Sequence, residues 1–417
     1  MSADVIVHGV EWTVKELFVY PNEFIYWSIQ IVMYPYMTGL VAGAFVLSSL
    51  YHVFGQKDLK EIAQFSLVFS LALLPVAALP LLLHLQQPTR AFEPLMTPHF
   101  TSAIAAFGIV FTTYGLIVVS EIWFVYRKYF VDQVEYLQGQ PGIANALQRS
   151  VYRILTMGAY DVSDSALNID KKAAKILAAV GIPVACFLHG YAGFIFGSVK
   201  ANALWMSPLM PVIFIMSAVV SGIALCMLTY IVIMEWRAFR QRRGGGAIEA
   251  REIKGAEIDI IEKSARYLLG FLVAAISLEL LDLIFRGYTA MKSWDILRSV
   301  MYGKDFRNIF VLQYGLGNLV PFLLLILPGR SLKRTVLALL LVLFGVFMMR
   351  WNVVIGGQAF SLSFSGYMHY HIPIIPHSIE TFKEGLFGAL MVAITPFVLF
   401  AIINKFVPSL RRNVGGS

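Results

Sequence analysis

Long apolar runs alternate with short polar connections along this chain. Nine runs reach the roughly 20 residues that a helix needs to cross a hydrocarbon core of about 30 Å. They span residues 25–54, 61–86, 99–126, 173–197, 209–235, 265–288, 307–328, 333–355 and 386–407. Because backbone groups in lipid must be hydrogen-bonded within their own segment, each run predicts an α-helix.

The composition agrees with this pattern. Of 417 residues, 58% are hydrophobic and 14% are charged, and the mean hydropathy is +0.71, which excludes an ordinary water-soluble domain. The fold class is therefore predicted as an all-α polytopic membrane protein with nine transmembrane helices, ten being the alternative count. The first 24 residues carry Glu11, Lys15, Glu16 and Glu23, so they do not resemble a cleaved signal.

Lysine and arginine concentrate in every second connection between the predicted helices. These connections contain Lys57, Lys60 and the ranges 127–172, 237–263, 330–334 and 405–412. Since basic connections stay in the cytoplasm, we expect an outer N-terminus and an inner C-terminus in the cytoplasmic membrane of a prokaryote. Most of the net charge of +8 then faces anionic lipid headgroups, and nucleic acid is not an expected partner.

Two features suggest how the helices are grouped. The segment EWRAFRQRRGGGAIEAREIKGAE predicts a mobile cytoplasmic linker after the fifth helix. The first helix contains TGLVAGAFVL and the fifth contains SAVVSGIALC, so that Gly43 corresponds to Gly222. This similarity indicates a repeat of two four-helix bundles, or else convergent packing of small residues. The predicted parts are an outer N-terminal segment, a first bundle, a second bundle, and an outer loop with an extra helix and a cytoplasmic tail: 1–24, 25–197, 209–355 and 356–417.

Four ionisable residues lie at similar depth inside apolar spans, where their placement is costly and usually functional. His84 and His189 lie in the outer parts of the second and fourth helices, and Asp282 and Arg350 in the outer halves of the sixth and eighth. Their similar depth predicts a polar zone beneath the outer surface. The alternatives are local packing roles for each residue, or a buried ion pair between Asp282 and Arg350.

The two cysteines limit the redox chemistry of the chain. Cys186 and Cys226 stand singly in predicted helices, so we expect structural thiols and no iron–sulfur cluster. Haem is also expected to be absent, although His84 and His189 could in principle be two axial ligands. No metal site is predicted, because the pair His369 and His371 has no third placed ligand.

Acidic residues on the inner side suggest a proton path. Glu121 and Glu235 fall at the predicted cytoplasmic ends of the third and fifth helices, and Glu279 lies deeper in the sixth. Together with Asp282 and Arg350 they are candidates for carrying protons across the membrane. For Glu121 and Glu235 the alternative is interfacial snorkelling.

Two connections suggest partners. Residues 356–384 form a long outer segment rich in aromatic residues and histidine, which favours docking of another subunit. On the inner side, IANALQRSVYRILTMGAY is amphipathic and is expected to lie on the membrane surface or to bind a cytoplasmic subunit.

Five stretches, in a fixed order over about 330 residues, carry a family resemblance. They are IYWSIQIVMYPYMTGLVAGAFVL, HLQQPTRAFEPLMTPHFTSAIAAFG, HGYAGFIFGSVKANALWMSPLMPVIFIMSAVVSGIAL, QYGLGNLVPFLLL and FGVFMMRWNVVIGGQ. The ordered set resembles the NrfD-like family of quinone-interacting membrane subunits, typified by polysulfide reductase. Within the family, YPYMTGLVAGAF and RAFEPLMTPHFTSA are most similar to the DsrP branch, which accompanies dissimilatory sulfite reductase.

The resemblance implies a quinone site near the outer surface of the first bundle and no redox cofactor held by this chain. Electrons would pass between a quinol, with menaquinol expected, and an outer iron–sulfur subunit of a respiratory complex for sulfur compounds, with further membrane and cytoplasmic subunits. One departure concerns the end of the second helix, where many relatives have Asp-x-Gly-Arg-Pro-x-Arg. Here HLQQPTR places His84 at the Asp position and retains only Pro88 and Arg90.

Quinol oxidation releases two protons and two electrons, so the site needs partners for both ring oxygens and a proton acceptor. Histidine suits this role because it titrates near neutral pH. His84 and His189 are therefore the predicted catalytic residues. The predicted binding residues comprise three further donors and two walls of an apolar pocket: Gln86, Arg90, Tyr191, Tyr34 and Trp27.

Two other functions remain possible from the sequence. A secondary transporter would also combine a two-bundle repeat with membrane-embedded charges, and a haem b-binding anchor would use the two histidines. The ionisable residues cluster toward the outer side instead of the midplane, which favours the quinone-reactive subunit. Whether the chain is an enzyme by itself is left open.

Overall fold

The computed structural model of the chain describes residues 24–99, 101, 103–199, 202, 204–243, 247–288, 292–329, 331–360 and 367–410, together with two short paired strands, β1 (Ile6–Val7) and β2 (Val10–Glu11). Most of the described chain is helical. The α-helices are Ile29–His52 (α1), Lys60–Ala77 (α2), Leu79–His84 (α3), Glu93–Met96 (α4), Ala103–Gln138 (α5), Ile143–Thr156 (α6), Asp164–Gly197 (α7), Met210–Arg243 (α8), Ala247–Tyr288 (α9), Lys292–Ser299 (α10), Val320–Ile326 (α11), Leu332–Val354 (α12), Ile379–Glu384 (α13) and Leu386–Phe406 (α14). Wider π-helical turns form Val300–Lys304 and Arg307–Leu319.

Within the described ranges, nine helical stretches are long and apolar enough to cross a membrane. Each overlaps one of the nine apolar runs, so the prediction of an all-α polytopic membrane protein is confirmed. The third stretch differs most from its prediction, because it covers Ala106–Gln138 instead of 99–126. Its polar inner part continues as helix beyond the apolar run. We call "outer" the end at which α1 begins, following the predicted topology.

The second membrane span is built from two helices, α2 and α3. They meet at Ala78, two residues before Pro80. Proline has no N–H to donate, so it interrupts the hydrogen-bond ladder there. The span nevertheless continues outward from Lys57 to His84, and it places His84 at its outer end.

The spans pack as two rings of neighbours. In the first ring α1 contacts α2, α2 contacts α5, α5 contacts α7, and α7 returns to α1. The second ring is closed in the same way. There α8 contacts α9, α9 contacts the segment Arg307–Ile326, this segment contacts α12, and α12 returns to α8. The added helix α14 packs on α2 and α1. The helices on either side of the predicted domain boundary at 197–209, α7 and α8, pack directly against each other. This packing does not separate two domains there, and the boundary stays a prediction.

The two rings meet where α1 packs against α8. An added Cβ on Gly43 would lie 2.8 Å from Gly222 Cα, so neither position has room for a side chain. The small residues that suggested a repeat therefore form a close contact between the two rings. Whether they also record a repeat stays a prediction.

The predicted cytoplasmic linker is wrong over most of its length. α8 extends to Arg243 and α9 begins at Ala247, and only residues 244–246 lie outside the described chain. The stretch AIEAREIKGAEI is rich in alanine, glutamate, lysine and arginine, which have high helix propensity. Propensity explains this helix, whereas the prediction had considered only charge.

Most of the predicted N-terminal segment and residues 361–366 of the outer loop lie outside the described residues. The remainder of that loop packs against the start of α1, since Ile25 N donates to His369 O at 2.9 Å. On the inner side, the amphipathic stretch forms α6, whose residues Ile143, Leu147 and Ile154 are exposed. Next to α6, Arg127 of α5 forms a salt bridge with Asp170 of α7 at 2.7 Å and so links these two helices.

Candidate functional site

The centre of the helix assembly contains a histidine and an arginine that solvent does not reach. His189 on α7 is 1% exposed and Arg350 on α12 is 0% exposed. Arg350 Nη2 lies 2.8 Å from His189 Nε2, and His189 Nδ1 lies 3.4 Å from Thr38 Oγ1. Because a guanidinium only donates, Nε2 is the acceptor and the proton of the neutral imidazole is on Nδ1, facing Thr38.

Arg350 connects α12 to α8 as well. Its Nη2 also donates to Ser217 Oγ at 2.8 Å, and its guanidinium carbon lies 3.8 Å from the centroid of the Phe214 ring. On the other side, Nη1 contacts Met349 Sδ at 3.1 Å. A buried cation is thus held by neutral acceptors and an aromatic face.

The alternative of an Asp282–Arg350 ion pair is wrong. Asp282 on α9 accepts from the Ser207 hydroxyl and from Arg286 Nε, the latter at 2.9 Å. Arg286 is one turn away on the same helix, so this pair forms without bringing a distant element into place.

The outer rim contains His84 at the last residue of α3. Its Nδ1 lies 3.1 Å from Oγ of Ser28, the N-cap of α1, and 3.3 Å from Oε1 of Glu384, the last residue of α13. The side chains of His84 and Glu384 are 23% and 35% exposed, so the pair is accessible. Glu384 thus places a carboxylate beside His84.

The structure does not bring His84 and His189 to one point. They contact α1 at Ser28 and Thr38, ten positions apart, which is about 15 Å of helical rise. Within the described residues they share no contact partner. Two axial ligands of one haem iron must lie on opposite sides of a single atom, and His189 Nε2 is occupied by Arg350, so this arrangement does not fit bis-histidine haem.

The two predicted pocket walls lie on different sides of α1. The Trp27 ring stacks on Trp205 with centroids 5.3 Å apart, and it is next to Ser28 at the outer rim. Tyr34 is buried and its ring contacts Phe107 of α5 at 5.4 Å. Only Trp27 is therefore placed beside His84.

The three further predicted donors do not reach either histidine. Gln86 and Arg90 are exposed, and Arg90 Nε pairs with Glu93 at 3.4 Å in the same turn. Tyr191 is half-buried, with its ring against Phe187 and Phe194 of its own helix. Their roles in binding stay predictions.

An acid-lined cavity of about 140 Å³ opens in the second ring. Glu279 lines it and is 8% exposed, with Oε2 accepting from Gln313 Nε2 at 2.9 Å and Asn318 Nδ2 at 3.2 Å. The other charged residues of the lining are Asp282, Arg286 and Asp305. Three of the proton-path candidates, Glu279, Asp282 and Arg350, thus lie in or next to this region.

The inner candidates differ from each other. Glu121 lies near the middle of α5, is 0% exposed, and neither of its carboxylate oxygens has a hydrogen-bond partner among the described residues. Snorkelling to an interface therefore does not explain it, because α5 extends to Gln138. Glu235 is half-buried near the inner end of α8.

Sequence reasoning missed the partners that define both sites. Ser28 carried a usable signal, since serine before an apolar run is a common N-cap. Glu384 and Ser217 carried none, because their contacts join elements far apart in the chain. Asp305 lies in a short connection between helical segments, outside the nine apolar runs that were searched for ionisable residues.

The fold and the site together define a class of protein. It is a helical membrane protein with a buried polar centre and an accessible histidine at one rim. The family model described as Polysulphide reductase, NrfD matches residues 20–362. The chain therefore belongs to this family, and the predicted family resemblance is confirmed. The narrower resemblance to the DsrP branch stays a prediction.

Three relatives illustrate the range of similarity. A selenate reductase subunit of Mesobacillus selenatarsenatis is 28% identical over 79% of this chain and 73% of its own length. A putative dimethyl sulfoxide reductase membrane subunit of Halobacterium salinarum is 27% identical over 84% and 71%. Protein NrfD of Escherichia coli is 23% identical over 60% and 72%.

Proposed function

We propose that this chain is the membrane subunit of an oxidoreductase complex and exchanges electrons between a quinone and an iron–sulfur subunit docked at its outer end. The observation that carries the proposal is the contact between His84 and Glu384 at the outer rim. Family membership supports it, as do two relatives named as subunits of reductases. Menaquinone as the quinone and sulfur-compound respiration as the context stay predictions.

The chemistry assigned to this rim is proton transfer. When a quinol gives up two electrons it also gives up two protons, and His84 is placed to accept one of them. Its Nδ1 faces Ser28 and Glu384, which leaves Nε2 for the quinol hydroxyl. The carboxylate of Glu384 stabilises the imidazolium that forms, so Glu384 acts as a positioning residue.

The remaining parts follow from this assignment. Trp27 and Trp205 provide an aromatic surface beside the rim, suited to the face of a quinone ring. The electrons leave through the docked iron–sulfur subunit, and this chain holds neither haem nor cluster of its own. His189 supports the centre of the fold, because both of its ring nitrogens already have partners in Arg350 and Thr38.

The experiment compares variants in the purified, fully assembled complex supplied with a soluble quinol analogue. His84→Ala should lower quinol-dependent electron transfer by about 10²-fold, the range for a positioned acid–base group. Glu384→Gln should lower it less, and Glu384→Asp should recover part of the loss. His99→Ala is the matched control, since His99 is an exposed histidine in the connection that follows α3, and it should leave turnover unchanged.

Near-wild-type turnover of His84→Ala would overturn the assignment. Reconstitution into proteoliposomes separates the transporter alternative. Accumulation of a solute by the chain alone, without partner subunits or quinol, would favour a secondary transporter.

A further inference from the structure

The acid-lined cavity has an internal hydrogen-bond chain with a fixed direction. Gln313 Nε2 donates to Glu279, so Gln313 Oε1 is the acceptor, and Asn352 Nδ2 donates to it at 2.7 Å. Asn352 Nδ2 also donates to Asn308 O at 3.2 Å. The orientation of both amides follows from the carboxylate, which only accepts when it is ionised.

This series of hydrogen bonds ends at two acceptor oxygens that have no donor among the described residues. Asn352 Oδ1 and Asp305 Oδ2 are both buried, and neither has a hydrogen-bond partner among the described residues. Asp305 is 8% exposed, and its other oxygen accepts from Asn308 Nδ2 at 3.1 Å. An unsatisfied buried acceptor is costly, because it has lost its hydrogen bonds to water, so two of them at one cavity indicate an occupant that donates.

One of the two acceptors lies beside a glycine of the lining. A Cβ added to Gly356 would lie 3.7 Å from Asp305 Oδ2 and 3.9 Å from Asn352 Cβ. These are ordinary van der Waals distances, so a methyl group fits there but would lie beside Asp305 Oδ2. The absence of a side chain at Gly356 therefore leaves Asp305 Oδ2 open to the cavity, which Asn352 also lines.

Charge and size indicate the kind of occupant. The lining has the carboxyl groups of Glu279, Asp282 and Asp305 and one cation, Arg286. A volume of about 140 Å³ corresponds to roughly five water molecules at liquid density. The described residues contain no group of three metal-ligating side chains. Burial also raises the pKa of the Asp305 carboxyl, which lies outside the membrane spans.

We propose that the cavity holds a water cluster that donates to Asp305 and Asn352 and exchanges protons between the outer aqueous phase and Glu279. A hydronium ion in the cluster gives a proton to the Glu279 carboxylate and becomes water, and the reverse step returns it. The proton passes along the waters, while Gln313 and Asn352 keep the cluster oriented.

The cavity also lies next to the buried centre. Met349 lines the cavity, and its sulfur contacts Arg350 Nη1 at 3.1 Å. The role of Glu279 in turnover rests on the proposed function, because it requires a quinol as the proton source. The water-filled state of the cavity does not, so the two are tested separately.

Accessibility is tested by cysteine labelling in sealed vesicles of known orientation, with Cys186→Ala and Cys226→Ala removing the background. Val353→Cys places a thiol in the lining. It should react from the outer side with an impermeant cationic thiosulfonate at least about tenfold faster than with an anionic one, since a negative cleft concentrates cations. Leu340→Cys is the control on the same helix, exposed but within the apolar span, and should not react.

Gly356→Ala, introduced into the Val353→Cys protein, should slow the labelling severalfold. Gly303→Ala is the control and should not slow it, because its Cβ would meet nothing within 4 Å. No labelling, equal rates for both reagents, or no effect of Gly356→Ala would overturn the water-filled cavity. Protection by millimolar sodium but not by choline would overturn it too, in favour of a cation site.

Proton exchange at Glu279 is tested in the assembled complex. Glu279→Gln should leave Val353→Cys reactive from the outer side, with a smaller preference for the cationic reagent, and reduce the number of protons released outside per quinol oxidised. An unchanged number would overturn the role of Glu279. Failure of the proposed function would appear differently, as normal labelling in a complex that does not oxidise quinol in any variant.

Discussion

Arg350 shows at the level of single residues how an apolar assembly retains a charge. Its side chain is 0% exposed, and its partners are the imidazole of His189, the Ser217 hydroxyl and the Phe214 ring. None of these contact partners is an anion, so the groups in direct contact stabilise the charge through dipoles and an aromatic face. Loss of any one partner leaves the guanidinium with little to replace it.

His189→Ala should therefore destabilise the protein. The expected loss in the free energy of unfolding is about 3 kcal/mol or more, the range for removing one partner of a buried charge. Unfolding can be followed by the reaction of a thiol dye with Cys226, which is 0% exposed on α8.

The double variant His189→Leu with Arg350→Met should recover part of this loss, because it removes the charge together with its partner. His99→Ala is the exposed control. Equal unfolding midpoints for His189→Ala and the natural protein would show that the imidazole does not stabilise Arg350.

Among the helices, α1 has the most neighbours, since it contacts members of both rings. Its approach to α8 depends on Gly43 facing Gly222. A similar pair, Gly317 and Gly345, joins the π-helical segment to α12. Close backbone approach is a common way for helices to associate where burial of apolar surface gives no advantage.

Gly43→Ala should destabilise the contact between the rings. The added Cβ would lie 2.8 Å from Gly222 Cα, and a backbone atom cannot move aside as a flexible side chain can. We expect a loss of about 1–3 kcal/mol, as for other overpacked interiors. Gly270→Ala on α9 is the control, because its Cβ would meet nothing within 4 Å, and alanine favours the helix. The measurement is the fraction that remains monodisperse after heating, and equal fractions for both variants would contradict the prediction.

Sequence patterns predicted the helices better than their ends or contacts. The length of an apolar run sets a membrane span, so all nine were found, but α5 and α9 continue as polar helix beyond the apolar runs. The position of His84 at the end of its span could be predicted from helix direction, but the similar depth expected for His84 and His189 was wrong, because their contacts on α1 lie about 15 Å apart. The partners of the two histidines could not be predicted, because Glu384 and Arg350 reach them only after distant helices have packed.

For the whole molecule, the orientation in the membrane is the property on which both proposed sites depend. Both the outer rim and the acid-lined cavity are functional only if the end at which α1 begins faces outward. This orientation is the one predicted by the distribution of lysine and arginine over alternate connections.

Cysteine labelling of intact cells tests the orientation. Gly139→Cys, in the exposed connection between α5 and α6, should react with an impermeant reagent only after the cells are opened. His377→Cys, exposed in the outer loop before α13, should react in intact cells. The reverse pattern would invert the depth of every residue discussed above.

The contact between His84 and Glu384 also imposes an order on biosynthesis. Chains fold from the N-terminus as they leave the ribosome, so α3 can enter the membrane before α13 has been translated. The rim is completed only when Glu384 reaches His84 and when Lys383 O accepts from Gln30 Nε2 at 2.6 Å. A nascent chain that has inserted its first eight spans therefore lacks the carboxylate, and its outer rim is still incomplete.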